Sequence, residues 1–223
     1  QEQDYTNYKV VVVDDCSTDN TYDVAFKLIK NDKHFTLIRN GERGGAMSSS
    51  VIGTSAANAR DEDVIVKLDG DDWLARTDAL SIIKKTYDTK NCLMTHGSYS
   101  DYPATNRRAL HGWGDGGPTI IYPKECIIRN SFREHEWLCP HLRTYKHHLW
   151  KRIEDSDFRD TDGEYYSMSS DVAIMLPILE MAGERQAAIP EVLYIYNKDN
   201  PINDHKVSRK LQSDMETRIK EKK

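Results

Sequence analysis

The sequence predicts an α/β fold in which a mainly parallel sheet is flanked by helices. Residues 9–13 form a short, continuously apolar run, as expected of a strand that is covered on both faces. Residues 63–69 and 188–197 are largely apolar and also have the length of strands. Segments with helical character separate the first strands, and this alternation is typical of βαβ units. The chain shows no internal repeat and no low-complexity linker, so we expect one domain over residues 1–223.

The other elements are predicted from local patterns. Ser17 and Asp19 are good N-cap residues and predict a helix near 20–31, directly after the first strand. The small residues between Gly44 and Ala59 predict a helix that can pack closely against its neighbours. The remaining predicted elements are strands at Phe35 to Arg39 and near 91–96, and helices near 77–88, 144–153 and 170–182.

Two regions depart from this alternation. Residues 99–118 contain four glycines and no regular period, so we predict a long loop there. Loops of this length in a compact domain are usually functional. Charged residues dominate 206–223, which we predict to be a solvated C-terminal helix.

Composition and charge exclude several classes of protein. The 223 residues include 36 acidic side chains against 31 Lys and Arg, a net charge of −5 that argues against a dedicated nucleic-acid binder. No apolar run approaches the roughly 20 residues that cross a bilayer, so we expect no membrane span. A cytoplasmic location is a separate expectation. The four cysteines are scattered without a C-x-x-C pair, which excludes a zinc ribbon and disfavours a disulfide scaffold.

The first candidate site follows the first strand, where Asp14 and Asp15 precede Ser17. Acidic residues at the carboxyl end of a parallel strand lie where open α/β sheets bind ligands. The same two residues also suit a turn that caps the following helix. The residues alone leave both interpretations open.

The second candidate site is the segment Asp69-Gly70-Asp71-Asp72, at the end of another apolar strand. Three carboxylates within four residues repel one another, and a cation among them removes that cost. Hard oxygen ligands in this number suit Mg²⁺ or Mn²⁺, with diphosphate oxygens completing the coordination shell. The alternative is a solvated acidic turn.

Together these two motifs resemble family 2 glycosyltransferases, which have the Rossmann-like GT-A fold. The family's N-x-G-x-x-x-A stretch resembles the segment that begins at Asn40 and ends at Ala46. Its acidic motif before an apolar helix resembles Ser169-Ser170-Asp171. The resemblance covers residues 3–183, and the segments D-G-D-D-W, H-L-R-T and N-P-x-N-D-H-K are similar to a microbial or viral-type branch.

One departure from the family pattern concerns the start of the chain. Members of the family open with a strand and a P-x-Y-N turn, followed by a helix that ends in S-x-x-Q. This sequence opens at Gln3-Asp4-Tyr5, which resembles the end of that helix. We therefore expect the first strand and most of that helix to be missing, and full activity to depend on what fills the strand's place.

The resemblance implies a metal-dependent, inverting transfer of a sugar from a UDP-sugar donor to an acceptor hydroxyl. Asp15 is expected to accept a hydrogen bond from uracil N3–H, a donor that cytosine lacks. Asp71 is the expected metal ligand, and the metal would be Mn²⁺ or Mg²⁺ acting as a Lewis acid. The other residues expected to bind the nucleotide are Asp14, Arg43, Asp69 and Asp72. Asp69 is also an expected metal ligand.

Asp171 is the expected general base. A serine before it can cap the predicted helix, which places the carboxylate in the first turn, where the helix dipole favours the ionised form. An ionised acid can take the acceptor proton as the new C–O bond forms. The alternative role of Asp171 is an ordinary first-turn helix acid.

A late histidine, His205, is a candidate additional metal ligand. His141, Arg143 and Trp137 are candidates for contact with the acceptor or the donor diphosphate.

The sequence leaves two rival functions open. One is a sugar nucleotidyltransferase, and the other is a non-catalytic module that binds nucleotides or sugars. The sequence predicts neither the donor sugar nor the acceptor.

Overall fold

The computed structural model describes residues 2–103, 119–201 and 204–222. The strands are β1 Val10–Asp14, β2 Phe35–Arg39, β3 Val64–Lys67, β4 Trp73–Leu74, β5 Met94–Tyr102, β6 Arg143–Lys146 and β7 Gln186–Asn197. The helices are α1 Thr21–Ile29, α2 Gly45–Ala56, α3 Ala79–Lys90, α4 Lys124–Arg129, α5 His147–Trp150, α6 Ser170–Ala182, α7 Asp204–Val207 and α8 Arg209–Glu221.

The strands form two sheets, and their arrangement confirms the predicted α/β class. β1 and β2 pair in parallel, and the other strands form a second sheet in the order β3-β6-β5-β7-β4. The longest pairing of the second sheet, between β5 and β7, is also parallel. Within the described residues, the three shorter pairings are antiparallel, so the strand directions are more mixed than the sequence predicted.

Helix α2 joins the two sheets because its residues are small. A Cβ atom added at Gly53 would lie 3.2 Å from Val13 Cγ2, so the helix lies close to β1. Three residues earlier, Ser50 Oγ accepts a hydrogen bond of 2.6 Å from Lys67 Nζ at the end of β3. α2 therefore connects the ends of β1 and β3, where both acidic motifs begin.

The main hydrophobic core surrounds α6. This helix is apolar on nearly every side, and Leu176, Ile178 and Leu179 are fully buried. Ile219 of α8 packs into the same core with 2% of its surface exposed. The C-terminal helix is thus anchored on one face, whereas the sequence predicted a solvated helix.

Two predicted elements differ from the structure. The helix expected near 144–153 is instead strand β6 followed by the short helix α5, because β6 lies between β3 and β5 and its backbone pairs with both. Such pairing overrides local propensity. β5 extends to Tyr102, so the first residues of the predicted loop at 99–118 are strand, and residues 104–118 lie outside the described residues. No helix of the described chain is long and apolar enough to span a bilayer.

Candidate active site

Asp15 organises the loop between β2 and α2. Its Oδ1 accepts hydrogen bonds from Asn40 Nδ2 at 2.8 Å and from the Gly44 backbone N–H at 2.9 Å. Its Oδ2 accepts a third bond, of 2.7 Å, from the Gly45 backbone N–H. Gly45 has a φ of +79°, a conformation that side chains other than glycine rarely adopt. The N-x-G-x-x-x-A stretch therefore wraps around the Asp15 carboxylate.

The Asp15 carboxylate is held in its ionised form. Burial by itself would raise the pKa of Asp15, but the hydrogen bonds from Gly44, Asn40 and Gly45, together with the nearby charge of Arg43, lower it. A carboxylate has about four acceptor positions, so one on Oδ2 is left for a further donor. Arg43 itself is exposed.

Asp14 is buried at the end of β1, with 5% of its surface exposed. Its Oδ2 accepts a hydrogen bond of 3.3 Å from the Ser17 backbone N–H and lies 3.4 Å from Arg39 Nε. These contacts are those of a residue that caps the turn. Its Oδ1 is buried without a hydrogen-bond partner in the described chain, so a polar ligand at this strand end would find an acceptor there.

The three acids of the second motif have different surroundings. Asp72 is 8% exposed, and both of its oxygens accept hydrogen bonds from residues of β7. Oδ1 accepts one of 2.7 Å from the Asn197 backbone N–H, and Oδ2 accepts one from the Tyr194 hydroxyl. Asp69 has a side chain that is 43% exposed and lies 3.9 Å from Lys67 Nζ. Asp71 accepts a hydrogen bond of 2.6 Å from Asn200 Nδ2.

Burial has a marked effect on Asp72. Desolvation raises the pKa of Asp72 to about 6, and the negative charges of Asp71 and Asp69 add to this rise. The hydrogen bonds from Asn197 and Tyr194 oppose it. Burial, followed by the charge of Asp69 and the hydrogen bond to Asp72, raises the pKa of the Tyr194 hydroxyl. The hydroxyl is therefore the proton donor of the pair.

Asp69 and Asp71 suit a divalent cation by the chemistry of their donor atoms. Both are carboxylates at one strand end, and the exposed Asp69 side chain is accessible to a hard cation and to the phosphate oxygens that would complete its shell. In the described part of the chain, no three His, Cys or acidic side chains form a ready metal cluster. The side chain of His205 lies outside the described residues, so its role as a ligand stays a prediction.

His141 belongs to a stack of aromatic rings above the acidic turn. Its ring lies 4.4 Å from that of Tyr194 at an interplanar angle of 14° and 5.7 Å from that of Tyr196 at 19°. Burial, followed by the charges of Arg143 and Lys67, lowers the pKa of His141 well below 6.5. The imidazole is therefore neutral at pH 7. Its predicted contact with the acceptor or diphosphate would be that of a neutral ring.

Arg143 is directed at Asp171. Its Nη2 lies 2.8 Å from Asp171 Oδ2, in a pair whose arginine side chain is 5% exposed and whose aspartate side chain is 34% exposed. Nε of Arg143 donates to the Cys139 carbonyl at 2.8 Å, and its guanidinium carbon lies 5.8 Å from the centre of the Trp137 ring. The arginine that was predicted to contact the acceptor or diphosphate thus holds the predicted base.

The start of helix α6 agrees with the sequence in position but not in its capping contact. The helix runs from Ser170 to Ala182, the predicted span, with Pro177 inside it. Ser169 is the N-cap residue, but its hydroxyl forms no capping bond and donates instead to the Gln212 carbonyl at 3.4 Å. Asp171 lies in the first turn, as predicted, and its carboxylate is fixed by Arg143.

These contacts form two groups that meet through α2. One group contains Asp14, Asp15 and Arg43, and the other runs from the acidic turn through the ring stack to Asp171. α2 begins at the loop that holds Asp15, and its Ser50 binds Lys67, whose ammonium group faces Asp69. Contacts through α2 and Lys67 therefore connect the loop that holds Asp15 with the acidic turn.

Sequence reasoning missed the residues that hold these acids in place, namely Lys67, Tyr194, Asn197 and Asn200. Lys67 was part of a predicted strand, and Tyr194 and Asn197 were part of another. A partial signal was present in the L-Y-I-Y alternation of β7, which puts Tyr194 and Tyr196 on one face. Nothing local links that face to Asp72.

Comparison with known proteins supports a family assignment. The chain is 20% identical over 200 residues to the glycosyltransferase GlyG of Streptococcus pneumoniae, covering 84% of this chain and 65% of that protein. It is 31% identical over 98 residues to an uncharacterized glycosyltransferase of Haemophilus influenzae, covering 44% of this chain and 38% of that protein. The chain thus spans less than two thirds of each relative.

A solved structure and a family model agree with these relatives. The crystal structure of Staphylococcus aureus TarS 1–349 in complex with UDP superimposes with a TM-score of 0.60 at 17% identity, covering 88% of this chain and 53% of that one, which shows a shared fold. The sequence model described as Glycosyl transferase family 2 matches residues 1–150, well over half of the chain. The chain therefore belongs to Glycosyl transferase family 2.

Proposed function

We propose that the chain transfers a sugar from a UDP-sugar to an acceptor hydroxyl, with inversion at the anomeric carbon and with a divalent metal. The observation that carries this proposal is the continuous set of contacts from the acidic turn, through Tyr194 and His141, to the Arg143–Asp171 pair. These contacts support the proposal because they connect the acids that would bind the donor with the acid that would act as the base. The shared fold with TarS, a protein solved with UDP, supports the choice of donor.

The donor would bind beside the two acidic motifs, which follow β1 and β3. Asp15 has an acceptor position left on Oδ2 for uracil N3–H, and the charge of Arg43 acts on the same carboxylate. Asp69 and Asp71 would hold Mn²⁺ or Mg²⁺, and when bound the metal supplies positive charge beside the departing diphosphate. The remaining steps depend on the residues of the chain.

Asp171 would take the proton of the acceptor hydroxyl. The acceptor oxygen forms a bond to the anomeric carbon on the face opposite the diphosphate, and the bond from that carbon to the diphosphate oxygen breaks, its electron pair leaving with UDP. Because Arg143 occupies Oδ2, Oδ1 of Asp171 is the oxygen open to the proton. The arginine also holds the carboxylate in one orientation before the reaction.

The rival functions differ from this one in the product released. A transferase frees UDP only when an acceptor is present, whereas a sugar nucleotidyltransferase frees pyrophosphate from a nucleoside triphosphate. A non-catalytic module binds UDP-sugar and releases neither product. Assays of UDP and pyrophosphate release with candidate acceptors therefore separate the three functions, and pyrophosphate release would contradict the proposal.

A first prediction concerns the recognition of the base. UDP should bind more tightly than CDP, and Asp15→Ala should reduce that preference by on the order of tenfold, because a discriminating hydrogen bond is worth about 1–3 kcal/mol. Titration calorimetry with UDP, CDP and GDP measures the preference. Asp19→Ala, at an exposed acid of the same turn, serves as the control. Equal competition by GDP would contradict the role of Asp15.

A further inference from the structure

We infer that Tyr194 is a positioning residue, which anchors the acidic turn through Asp72 and joins that turn to the base through the ring of His141. Asp72 is then an anchor rather than a ligand of the donor or metal, which revises the role that the sequence predicted for it. The link to catalysis rests on the proposed function, in which Asp171 is the base and Asp69 and Asp71 bind the metal. Its structural part stands on contacts alone.

The first step is that the protein already uses the Asp72 carboxylate. One oxygen accepts from the Asn197 backbone N–H at 2.7 Å, and the other accepts from the Tyr194 hydroxyl. The residue is 8% exposed, whereas the side chain of Asp69 is 43% exposed. A carboxylate that is buried and hydrogen-bonded on both oxygens stabilises its own turn and is poorly placed to receive a ligand.

The second step is that Tyr194 ties the turn to β7 by side chain and backbone together. Its hydroxyl lies 3.3 Å from Asp69 Oδ2 as well as contacting Asp72, so one hydroxyl reaches two of the three acids. Leu74, two residues after Asp72, pairs with Tyr194 in the antiparallel register of β4 and β7. Tyr194 itself is fully buried. The position of the turn therefore depends on the position of this ring.

The third step joins the turn to the base. The His141 ring stacks on Tyr194 at 4.4 Å, His141 Nδ1 lies 3.3 Å from Arg143 Nη1, and Arg143 contacts Asp171 at 2.8 Å. Buried side chains in such a connected set have little freedom to move independently. The spacing between the candidate metal ligands and the candidate base is then set by the ring stack.

The test compares Tyr194→Phe with Tyr87→Phe. Both changes remove one buried hydroxyl and keep the ring, but the Tyr87 hydroxyl contacts Thr144 Oγ1 at 2.8 Å and not a carboxylate of the acidic turn. We expect Tyr194→Phe to lower the Mn²⁺-dependent gain in UDP affinity by roughly tenfold, because Asp72 loses a buried donor and the turn shifts. UDP affinity in chelator should not change. Tyr87→Phe should lower the stability of the protein and leave the Mn²⁺-dependent gain in UDP affinity unchanged.

Two aspartate variants test whether Asp72 is an anchor. Asp72→Asn keeps an acceptor for the Asn197 N–H, and its amide can donate to the Tyr194 hydroxyl, so the metal response should persist. Asp71→Asn should lose that response. If Asp72→Asn is as damaging as Asp71→Asn, Asp72 is a ligand and the inference is overturned.

Two histidine variants test the stack. His141→Phe keeps a flat ring on Tyr194, whereas His141→Ala removes it. We expect the alanine variant to weaken the metal response and the phenylalanine variant to preserve it. Equal loss in both variants would show that a polar contact of His141, such as the one with Arg143 Nη1, matters more than the stacked ring, and would overturn the role of the stack.

Hydrogen exchange separates this inference from the proposed function. Backbone amides of residues 69–73 should exchange faster in Tyr194→Phe than in Tyr87→Phe, whether or not UDP binds. Unchanged exchange would overturn the anchoring role. If exchange rises but the parent protein shows no metal-dependent UDP affinity, the anchor is supported and the proposed function fails.

Discussion

Replacing Asp171 with Asn is expected to lower turnover by roughly 10²–10⁴-fold, the usual contribution of a general base. The amide keeps the size of the side chain and one oxygen for Arg143 but cannot accept the acceptor's proton at neutral pH. UDP affinity should change little, because Asp171 acts on the acceptor and not on the donor. Initial rates of UDP release, with UDP affinity measured by calorimetry, test both parts.

Glu180→Gln is the matched control for Asp171→Asn. Glu180 lies on the same helix and is also paired with an arginine, since Arg133 Nε lies 2.5 Å from Glu180 Oε1. The acid-to-amide change should therefore cost stability at a comparable ion pair without lowering turnover. Retained turnover in Asp171→Asn would make Asp171 a first-turn helix acid, and lost UDP affinity would make it a donor-site residue.

Removal of the metal, or of its expected ligand Asp71, should have the second large effect. UDP affinity should fall sharply in chelator, and Asp71→Ala should remove most of the difference between chelator and Mn²⁺. Substituting partners one layer outside a metal already costs about 10–100-fold, so a direct ligand should cost at least as much. Calorimetric titration of UDP with Mn²⁺, with Mg²⁺ and with chelator measures the response.

Asp88→Ala is the control for Asp71→Ala. Asp88 is an exposed acid on α3 whose partner is Lys84, so its removal changes the net charge equally without touching the acidic turn. The metal response should be that of the parent protein. UDP affinity that is the same in chelator and in Mn²⁺ would contradict the proposed metal site.

Elements with strong local signals could be predicted from the sequence. β2 has the predicted bounds, and α6 spans 170–182 as expected, because an apolar run fills that segment, with serines at its start and Gly183 at its end. The acids at strand ends were also legible, since the order of apolar strand, turn and helix places them at the carboxyl edge. Family resemblance supplied the expected roles.

Partners that are distant in sequence could not be predicted. Residues 144–146 have no local preference strong enough to resist pairing with β3 and β5, and that pairing made them a strand. Arg143 is still predicted to contact the acceptor or diphosphate, but nothing near it in the sequence indicated that the fold places its guanidinium on Asp171. The partner of a charged side chain depends on which opposite charge the tertiary structure brings near it.

The sequence by itself determined the α/β class, the two acidic motifs and the position of Asp171 at the start of α6. Their signals are carried by neighbouring residues, whose spacing sets backbone geometry directly. Only the tertiary structure decided that Asp72 faces Tyr194 while the Asp69 side chain stays open. Three acids within four residues are chemically alike, and their surroundings differ because only Asp72 is buried with both oxygens hydrogen-bonded to β7. Burial and hydrogen bonding, which depend on the whole fold, therefore distinguish the proposed anchor from the proposed ligands.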